Sequence, residues 1–529
     1  MAATYRNEVL IIVPPNSNTV IDGRLLTVTR PQEHSDWSDF LCLGALSLVS
    51  ALSSNPALRP MYIDATITDL NDVLSYITDN ADRILAVCLG VLTANYEAGV
   101  NIARHAKQAD ERIVTVVGND HFTALPSECM TSSDCLDYGL VGNEVIGPFV
   151  DLIGALHAGM EIGPASQPGL VCRCAGRVTI APQRPEPLFS DYSYGLVDEV
   201  FAHTAKYTRQ FRQRIAPRVH ELLGKRVTAG VPVDLGRGCV KFASDDACSF
   251  CSIQFGNVWR NQLTPDKAWE AVGTAWKSGY DYLYVTADEL PLTFATLLTA
   301  MNDTKPPWWE SLSEDDQPML VGYARADGIA DPRRTQTLTS LGVRQVMIGM
   351  DAGAAISLAA LNKPLGGRRR NVLAEAEKLY LLNSKAIQVA RDHGMLIRAG
   401  FVVGHIGMTA ELLQQNLDRI LALISEGRDV FSAVDVEVLS PQPGALDFTY
   451  LTSPDVAKAA AGRLGLLVAD DDVLAAVAGI WRGRDVIQPE LAMRDYAKAL
   501  MPGVAFEELA AARSSIRAFA KQSGIVIGE

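Results

Sequence analysis

Short apolar runs alternate along the chain with stretches whose apolar residues recur every three to four positions, a pattern of strands followed by amphipathic helices. Glu8 to Val13 is an apolar strand that Pro14-Pro15-Asn16 ends, since proline cannot donate to a ladder. Helical spacing runs from Phe40 to Leu52, a strand follows at Met61 to Asp64, and a helix at Leu70 to Thr78. Ile84 to Gly90 predicts a buried strand, Tyr96 to Lys107 a helix, and Ile113 to Val117 a strand ending at Gly118-Asn119. This alternation predicts a doubly wound parallel sheet over residues 1–165, with ligands at the carboxyl ends of its strands.

After about residue 155 the sheet pattern stops, and residues 166–226 read as connector and helix. Ala181 to Pro187 carries three prolines in seven residues, an extended connector, and Leu196 to Leu223 is a long amphipathic helical stretch. A β-rich run from Val227 to Leu235 opens a second series. Ala268 to Lys277 is helical, and strands are expected at Tyr280 to Val285, Met319 to Tyr323, Arg344 to Ile348, Ile397 to Val403 and Val434 to Leu439. That count predicts a partial (β/α) barrel of about six units over residues 227–450, its site again at the strand carboxyl ends. Residues 451–529 are Ala-rich and helical, with Pro502-Gly503 separating the last two helices, and are expected to cap the barrel.

Composition narrows the function. At 529 residues and 48% apolar content, the chain can fill two or three cores. Its net charge of -14 argues against a broad nucleic-acid surface, and the one basic run, Arg368-Arg369-Arg370, reads as a solvated helix start. No charged-then-apolar leader is seen, and the longest nearly apolar run, Phe40 to Leu52, is too short to span a bilayer. Nine cysteines without a disulfide-like pattern agree with a reducing compartment, so the cytoplasm is the expected location.

Three of those cysteines, Cys239, Cys248 and Cys251, fall within 13 positions, after Gly236-Arg237-Gly238. Crowded thiolates repel one another and oxidise easily, so a soft metal centre is the natural reason to gather them. Four ligands close a structural zinc site, whereas three point to a metal centre with an open position. A zinc knuckle completed by a distant residue, or reduced structural thiols, are the alternatives. Cys172 and Cys174 lie before the connector and are not expected to join the cluster.

Gly-Arg-Gly-Cys followed by Cys-Ser-Phe-Cys resembles the cluster loop of radical S-adenosylmethionine (SAM) enzymes. The resemblance implies a [4Fe-4S] cluster on Cys239, Cys248 and Cys251, with SAM on the fourth iron and Phe250 beside its adenine. The family's first gap is three residues; here it is eight, so Val240 to Ala247 reads as an insertion. The first domain's strand ends resemble the cobalamin-binding domain that precedes the radical core in one large branch of that family. The match runs through Pro14-Pro15-Asn16, Leu43-Gly44, Thr93-Ala94-Asn95-Tyr96, Gly118-Asn119-Asp120-His121-Phe122-Thr123 and Gly142-Asn143-Glu144. It implies corrin contacts from Pro15, Asn16, Trp37, Thr93, Tyr96, Gly118, Asn119, His121, Phe122 and Glu144. Asn119 replaces a family glycine, and no Asp-x-His-x-x-Gly occurs, so a bound cobalamin would hold its benzimidazole tail away from cobalt.

The barrel's strand ends carry further likenesses: Asp288-Glu289, Arg325-Ala326-Asp327, Gly349-Met350-Asp351-Ala352-Gly353, Asn362-Lys363, Gly400 to Thr409 and Pro441-Gln442-Pro443-Gly444. SAM is a sulfonium zwitterion, so its pocket needs an acceptor for the ammonium, a cation for the carboxylate and apolar walls. Asp288, Glu289, Arg325, Asp351 and Arg398 are the candidates, although Arg398 could equally pair with Asp351 or Asp327. The resemblance implies that SAM is cleaved to a 5′-deoxyadenosyl radical and that cobalamin delivers a methyl group to an unactivated carbon. The substrate is expected to be a small metabolite or peptide of a biosynthetic pathway, with a flavodoxin or ferredoxin as electron donor. Rearrangement, cyclisation or transfer of another part of SAM occurs on the same scaffold, and a non-catalytic corrinoid or metal-binding protein is the rival from another class.

Overall fold

The computed structural model describes residues 6–16, 19–21, 24–26, 40–160, 162–163, 167–244, 246–253, 259–365 and 371–528. Trp37 and the run Arg368 to Arg370 lie outside them.

The first sheet has seven strands: β1 (Glu8–Val13), β2 (Arg59–Asp64), β3 (Ile84–Gly90), β4 (Val114–Gly118), β5 (Tyr138–Leu140), β6 (Leu170–Cys174) and β7 (Arg177–Ile180). They lie in the order β2-β1-β3-β4-β5-β6-β7, the first five parallel. Side chains on a strand alternate between its two faces, and β1 uses both. Val9 and Ile11 enter the core under helices Leu43–Leu52 and Ile146–His157, while Leu10 and Ile12 enter the core under Leu70–Asp79 and Tyr96–Ala109. Burial on both faces is why β1 reads as an unbroken apolar run.

The sheet does not stop near residue 155. β6 and β7 extend it as an antiparallel hairpin, so it reaches Ile180, beyond the expected boundary at 165. Both turn residues, Ala175 and Gly176, have positive φ, at 50° and 74°, as a type I′ hairpin turn requires. Alanine in the first of those positions hides the turn from a sequence reading. The stretch Leu196 to Leu223 is also broken, into the 3-10 turn Tyr194–Asp198 and helices His203–Arg214 and Ala216–Leu223, the last opening with Pro217.

The second sheet is the partial barrel: β8 (Gly230–Val233), β9 (Tyr282–Val285), β10 (Met319–Ala324), β11 (Val343–Asp351), β12 (Leu396–Val403), β13 (Phe431–Val438) and the short β14 (Val526–Ile527), in that order and all parallel. Phe40 plugs the amino-terminal mouth, stacking on Tyr282 at 5.9 Å and Tyr284 at 5.7 Å beside Phe211. A buried network joins the two sheets' supports: the Tyr207 hydroxyl donates to Asp64, and His203 Nε2 accepts from the Asp64 amide at 3.1 Å. The first domain is thereby fixed against the barrel. Five helices, from Leu446–Thr452 to Phe506–Gln522, follow β13.

Candidate active site between the sheet and the barrel

An open cleft with about 1240 Å³ of atom-free space lies at the carboxyl ends of the first sheet. Its walls include Gly44, Gly90, Gly118, Asn119 and Glu144 from that sheet's strand ends and helices. Asp234, Arg237, Ile253 and Asp288 close it from the barrel. The two sets of strand ends therefore face one space. A second hollow of about 750 Å³ shares Glu144 and Arg237 with it and is walled by Gln183 to Glu186 of the connector.

Arg237 is the hinge of this junction. Its guanidinium pairs with buried Asp234 at 2.9 Å and with Glu144 across the domains at 3.3 Å. Burial, only partly offset by Arg237, pushes the Glu144 carboxyl up to about 7, and burial also raises Asp120 and Asp288. Asp288 accepts the Gly238 amide at 2.7 Å. Gly238 has φ 127°, and a Cβ there would lie 2.2 Å from the Trp259 carbonyl oxygen, which is why glycine precedes the first cysteine.

The long gap to Cys248 is folded, not looped out. Val240–Ser244 form a 3-10 turn, and Lys241, 1% exposed, donates to the Pro364 carbonyl at 2.7 Å and pairs with Asp246 at 3.4 Å. Asn362 Nδ2 donates to Asp246 and to the Ala247 carbonyl, both at 2.7 Å. The insertion is thus anchored on residues 362–364, and Cys239, Cys248 and Cys251 lie near enough for their charges to act on one another. Burial pushes the Cys239 thiol up to about 11 and the Cys251 thiol up to about 12. Buried Arg325 and Lys241 and half-buried Lys363 all lie near enough to Cys248 for its charge to act on them. Among the described residues no three Cys, His, Asp or Glu side chains converge to hold a single metal ion. In a four-iron cluster each cysteine holds its own iron, and the surrounding cations suit that anionic group better than one divalent ion.

Of the SAM candidates, Asp288 faces the cleft. Glu289 does not: its carboxylate accepts the Thr293 amide and hydroxyl at 2.7 Å and the Leu292 amide at 3.2 Å. Thr293 Oγ in turn accepts the Val240 amide at 2.9 Å, so Glu289 braces the cysteine loop from behind. Arg325 is held by Asp327 through two bonds of 3.0 Å. Asp351, at φ 56°, pairs with Lys363, whose Nζ sits 5.9 Å over the Phe250 ring. Gly349 makes room for that pair, since its Cβ would lie 2.8 Å from Asp351 Oδ1 and 2.9 Å from Lys363 Nζ. Arg398 pairs with Asp435 on the neighbouring strand, at 2.6 and 2.8 Å, not with Asp351 or Asp327.

The corrin candidates divide between the faces of the sheet. Gly118, Asn119 and Glu144 line the cleft, and Asn119 takes φ 80° where a glycine is the easier residue. Pro15 is buried and Asn16 half-buried, outside the cleft wall. Tyr96 and Phe122 belong to the core on the opposite face, where Phe122 packs on the bare Gly139 backbone. His121 is 1% exposed, with Nδ1 against Thr93 Oγ1 at 3.1 Å and Nε2 against the Asp485 carbonyl at 2.8 Å. Both ring nitrogens are engaged, and the Tyr96 hydroxyl donates to the Asp485 carboxylate at 3.2 Å. This group is a contact with the C-terminal helical region.

Sequence reasoning missed Arg237 as the inter-domain pair, Lys241 as the anchor of the insertion, and Asp447. Asp447 is fully buried, accepts the Tyr496 hydroxyl at 2.5 Å and donates its amide to the Ser249 carbonyl at 2.8 Å, inside the cysteine loop. A lone charge among apolar neighbours was the only signal for the last two.

Burial lowers His121 and His405 from 6.5 to about 4, so both are neutral in the fold. A histidine depressed this way contributes stability that is present above its unfolded pKa and is lost as pH falls from about 6.5 toward 4, up to roughly 3 kcal/mol each. The melting temperature is therefore expected to fall more steeply between pH 7 and 5 in the native chain than in His405→Gln. Parallel slopes in a thermal melt series would refute the assignment.

No family model matches the chain. An anaerobic magnesium-protoporphyrin IX monomethyl ester cyclase of Rubrivivax gelatinosus is 25% identical over 363 residues, 67% of this chain and 57% of that protein. An uncharacterized methyltransferase of Pyrococcus horikoshii is 27% identical over 262 residues, 48% of this chain and 47% of that protein. The chain thus spans about half the length of the curated relatives it matches. Among solved structures, the radical SAM methyltransferase TsrM of Kitasatospora setae, with cobalamin and a [4Fe-4S] cluster bound, superposes with TM-score 0.64 at 14% identity, covering 97% of this chain and 91% of that one. The same enzyme with tryptophan and a SAM analogue gives 0.59 at 15% identity, covering 85% and 76%. The cobalamin-dependent SAM radical enzyme OxsB with aqua-cobalamin gives 0.60 at 14% identity, covering 88% and 63%. In its two-sheet architecture, along nearly its whole length, the chain has the fold of these cobalamin-dependent radical SAM enzymes.

Proposed function

We propose that the chain is a methyltransferase that uses a [4Fe-4S] cluster, SAM and cobalamin to modify an unactivated carbon of a small metabolite or peptide. The observation that carries this reading is the single cleft onto which both sets of strand ends open. Cys239, Cys248 and Cys251 would hold the cluster, and the cleft between Gly44, Gly118 and Glu144 would take the corrinoid. When bound, the cluster would supply an electron to SAM and the corrinoid a transferable methyl group. The chain's own residues do the rest. Arg325, Lys241 and Lys363 offset the cluster's negative charge, Asp288 offers an acceptor at the cleft, and Arg237 with Glu144 holds the two domains at a fixed approach. A fixed approach matters because reacting groups must be brought nearly into contact. A flavodoxin or ferredoxin would deliver the electron. Among the described residues no helix is long and apolar enough to cross a membrane.

Ring closure or rearrangement without methylation is the second reading, favoured by the cyclase relative. Anaerobic reconstitution with iron, sulfide and hydroxocobalamin, followed by reductant and SAM labelled on its methyl group, separates the two. Release of S-adenosylhomocysteine and labelled methylcobalamin is expected. Formation of 5′-deoxyadenosine alone favours rearrangement, and no SAM turnover of either kind overturns both.

A further inference from the structure

Cys172 and Cys174 lie outside the cleft, yet their sulfurs are 3.4 Å apart. Two positions apart on β6, they project from the same face of the strand. Cys172 is 3% exposed and Cys174 is half-buried, so the pair has one open side. Arg173 between them points the other way and donates to the carbonyls of Leu136, Met130 and Ser133. Cys172 is also paired in register with Tyr138 on one neighbouring strand and Thr179 on the other, and Cys174 with Arg177. The backbone is thereby held from both edges at Cys172, from one edge at Cys174, and from behind through Arg173.

That rigidity discriminates between the two things a close thiol pair can do. A disulfide needs sulfurs about 2.0 Å apart and Cα atoms usually within about 6.8 Å, the very limit that two residues of extended strand reach. Closing it would require the strand to contract against its ladder bonds. Two thiolates on one tetrahedral ion, with bonds of about 2.3 Å, stand about 3.8 Å apart, which the present spacing approaches with only a small side-chain adjustment. We propose that Cys172 and Cys174 form a two-thiolate site for a soft metal ion such as Zn²⁺, separate from the cluster loop. Among the described residues no third Cys, His, Asp or Glu completes a closed set, so water fills the remaining positions. An ion held by two protein ligands exchanges more readily than one in a four-ligand structural site.

Cadmium is the probe, because thiolate-to-cadmium absorption in the ultraviolet counts the sulfurs bound. It is titrated into the full chain carrying Cys239→Ala, Cys248→Ala and Cys251→Ala together, kept reduced without thiols. One cadmium per chain with a two-thiolate band is expected, and adding Cys172→Ser or Cys174→Ser should weaken binding at least tenfold. The same two serine variants are compared in the cluster-loaded chain, where the cluster's own thiols are occupied, so that misfolding of the triple variant does not decide the matter. Unchanged cadmium affinity in the serine variants would overturn the site, as would ready closure of the pair to a disulfide in air, seen as a loss of two mass units that blocks the band.

Discussion

Replacing any one of Cys239, Cys248 and Cys251 by alanine is expected to leave the reconstituted chain without a four-iron cluster and without SAM cleavage. With one sulfur gone, two protein ligands remain for four irons, fewer than such clusters are held by. The neighbourhood sharpens the loss. Arg325 and Lys241 are almost fully buried, and Lys363 nearly so, so removing the anionic centre they surround leaves charges to be neutralised in a dry site. Iron and sulfide analysis with electron paramagnetic resonance reads the effect directly. Cys172→Ala or Cys174→Ala should keep about four irons per chain, because neither is among the cluster thiols. A full cluster in Cys239→Ala would sink the assignment across the eight-residue gap.

Gly44→Leu should abolish corrinoid binding while leaving the fold intact. Gly44 sits in the first turn of helix Leu43–Leu52 and lines the cleft, and a Cβ built on it meets nothing within 4 Å. A side chain there therefore starts into open space, with no clash at its Cβ. Glycine is also a poor helix former, and its replacement costs the helix nothing and can add up to about 1 kcal/mol. The cavity is another matter, since the added side chain fills the slot between the helix and the ends of β3 and β4. Hydroxocobalamin affinity is expected to drop at least 100-fold in Gly44→Leu and only slightly in Gly44→Ala, read by absorbance after desalting. Wild-type binding by Gly44→Leu, with an unchanged melting temperature, would place the corrinoid elsewhere.

What could be read from the residues follows the range of the forces involved. Strand and helix positions come from local periodicity, and β1, β3 and the barrel strands fall within a few residues of where their apolar runs put them. The β6-β7 hairpin was missed because Ala175 stands where a hairpin turn normally shows Asn or Gly. The cysteine loop was visible through its spacing, but its anchor was not, since Lys241 meets Pro364 across 123 residues and only the fold brings them together. Motif order put His121 and Tyr96 beside the corrin. It could not reveal which face of the sheet each would turn to, or that Asp485 would cover them. Glu289 misled for a related reason, as a carboxylate in a motif does not declare that three nearby donors have already used it.

The contact made by Asp485 bears on how the protein is assembled during synthesis. It meets His121 across 364 residues and Tyr96 across 389. At about 5–20 residues per second, the ribosome needs roughly 20–80 s to make the chain between them. Throughout that interval His121 and Tyr96 lack the partner that covers them, and Asp447 and Tyr496, which hold the cysteine loop, are still to come. The last helices are therefore the final part of the fold to dock, and they close over His121 and Tyr96 on the side of the sheet away from the cleft.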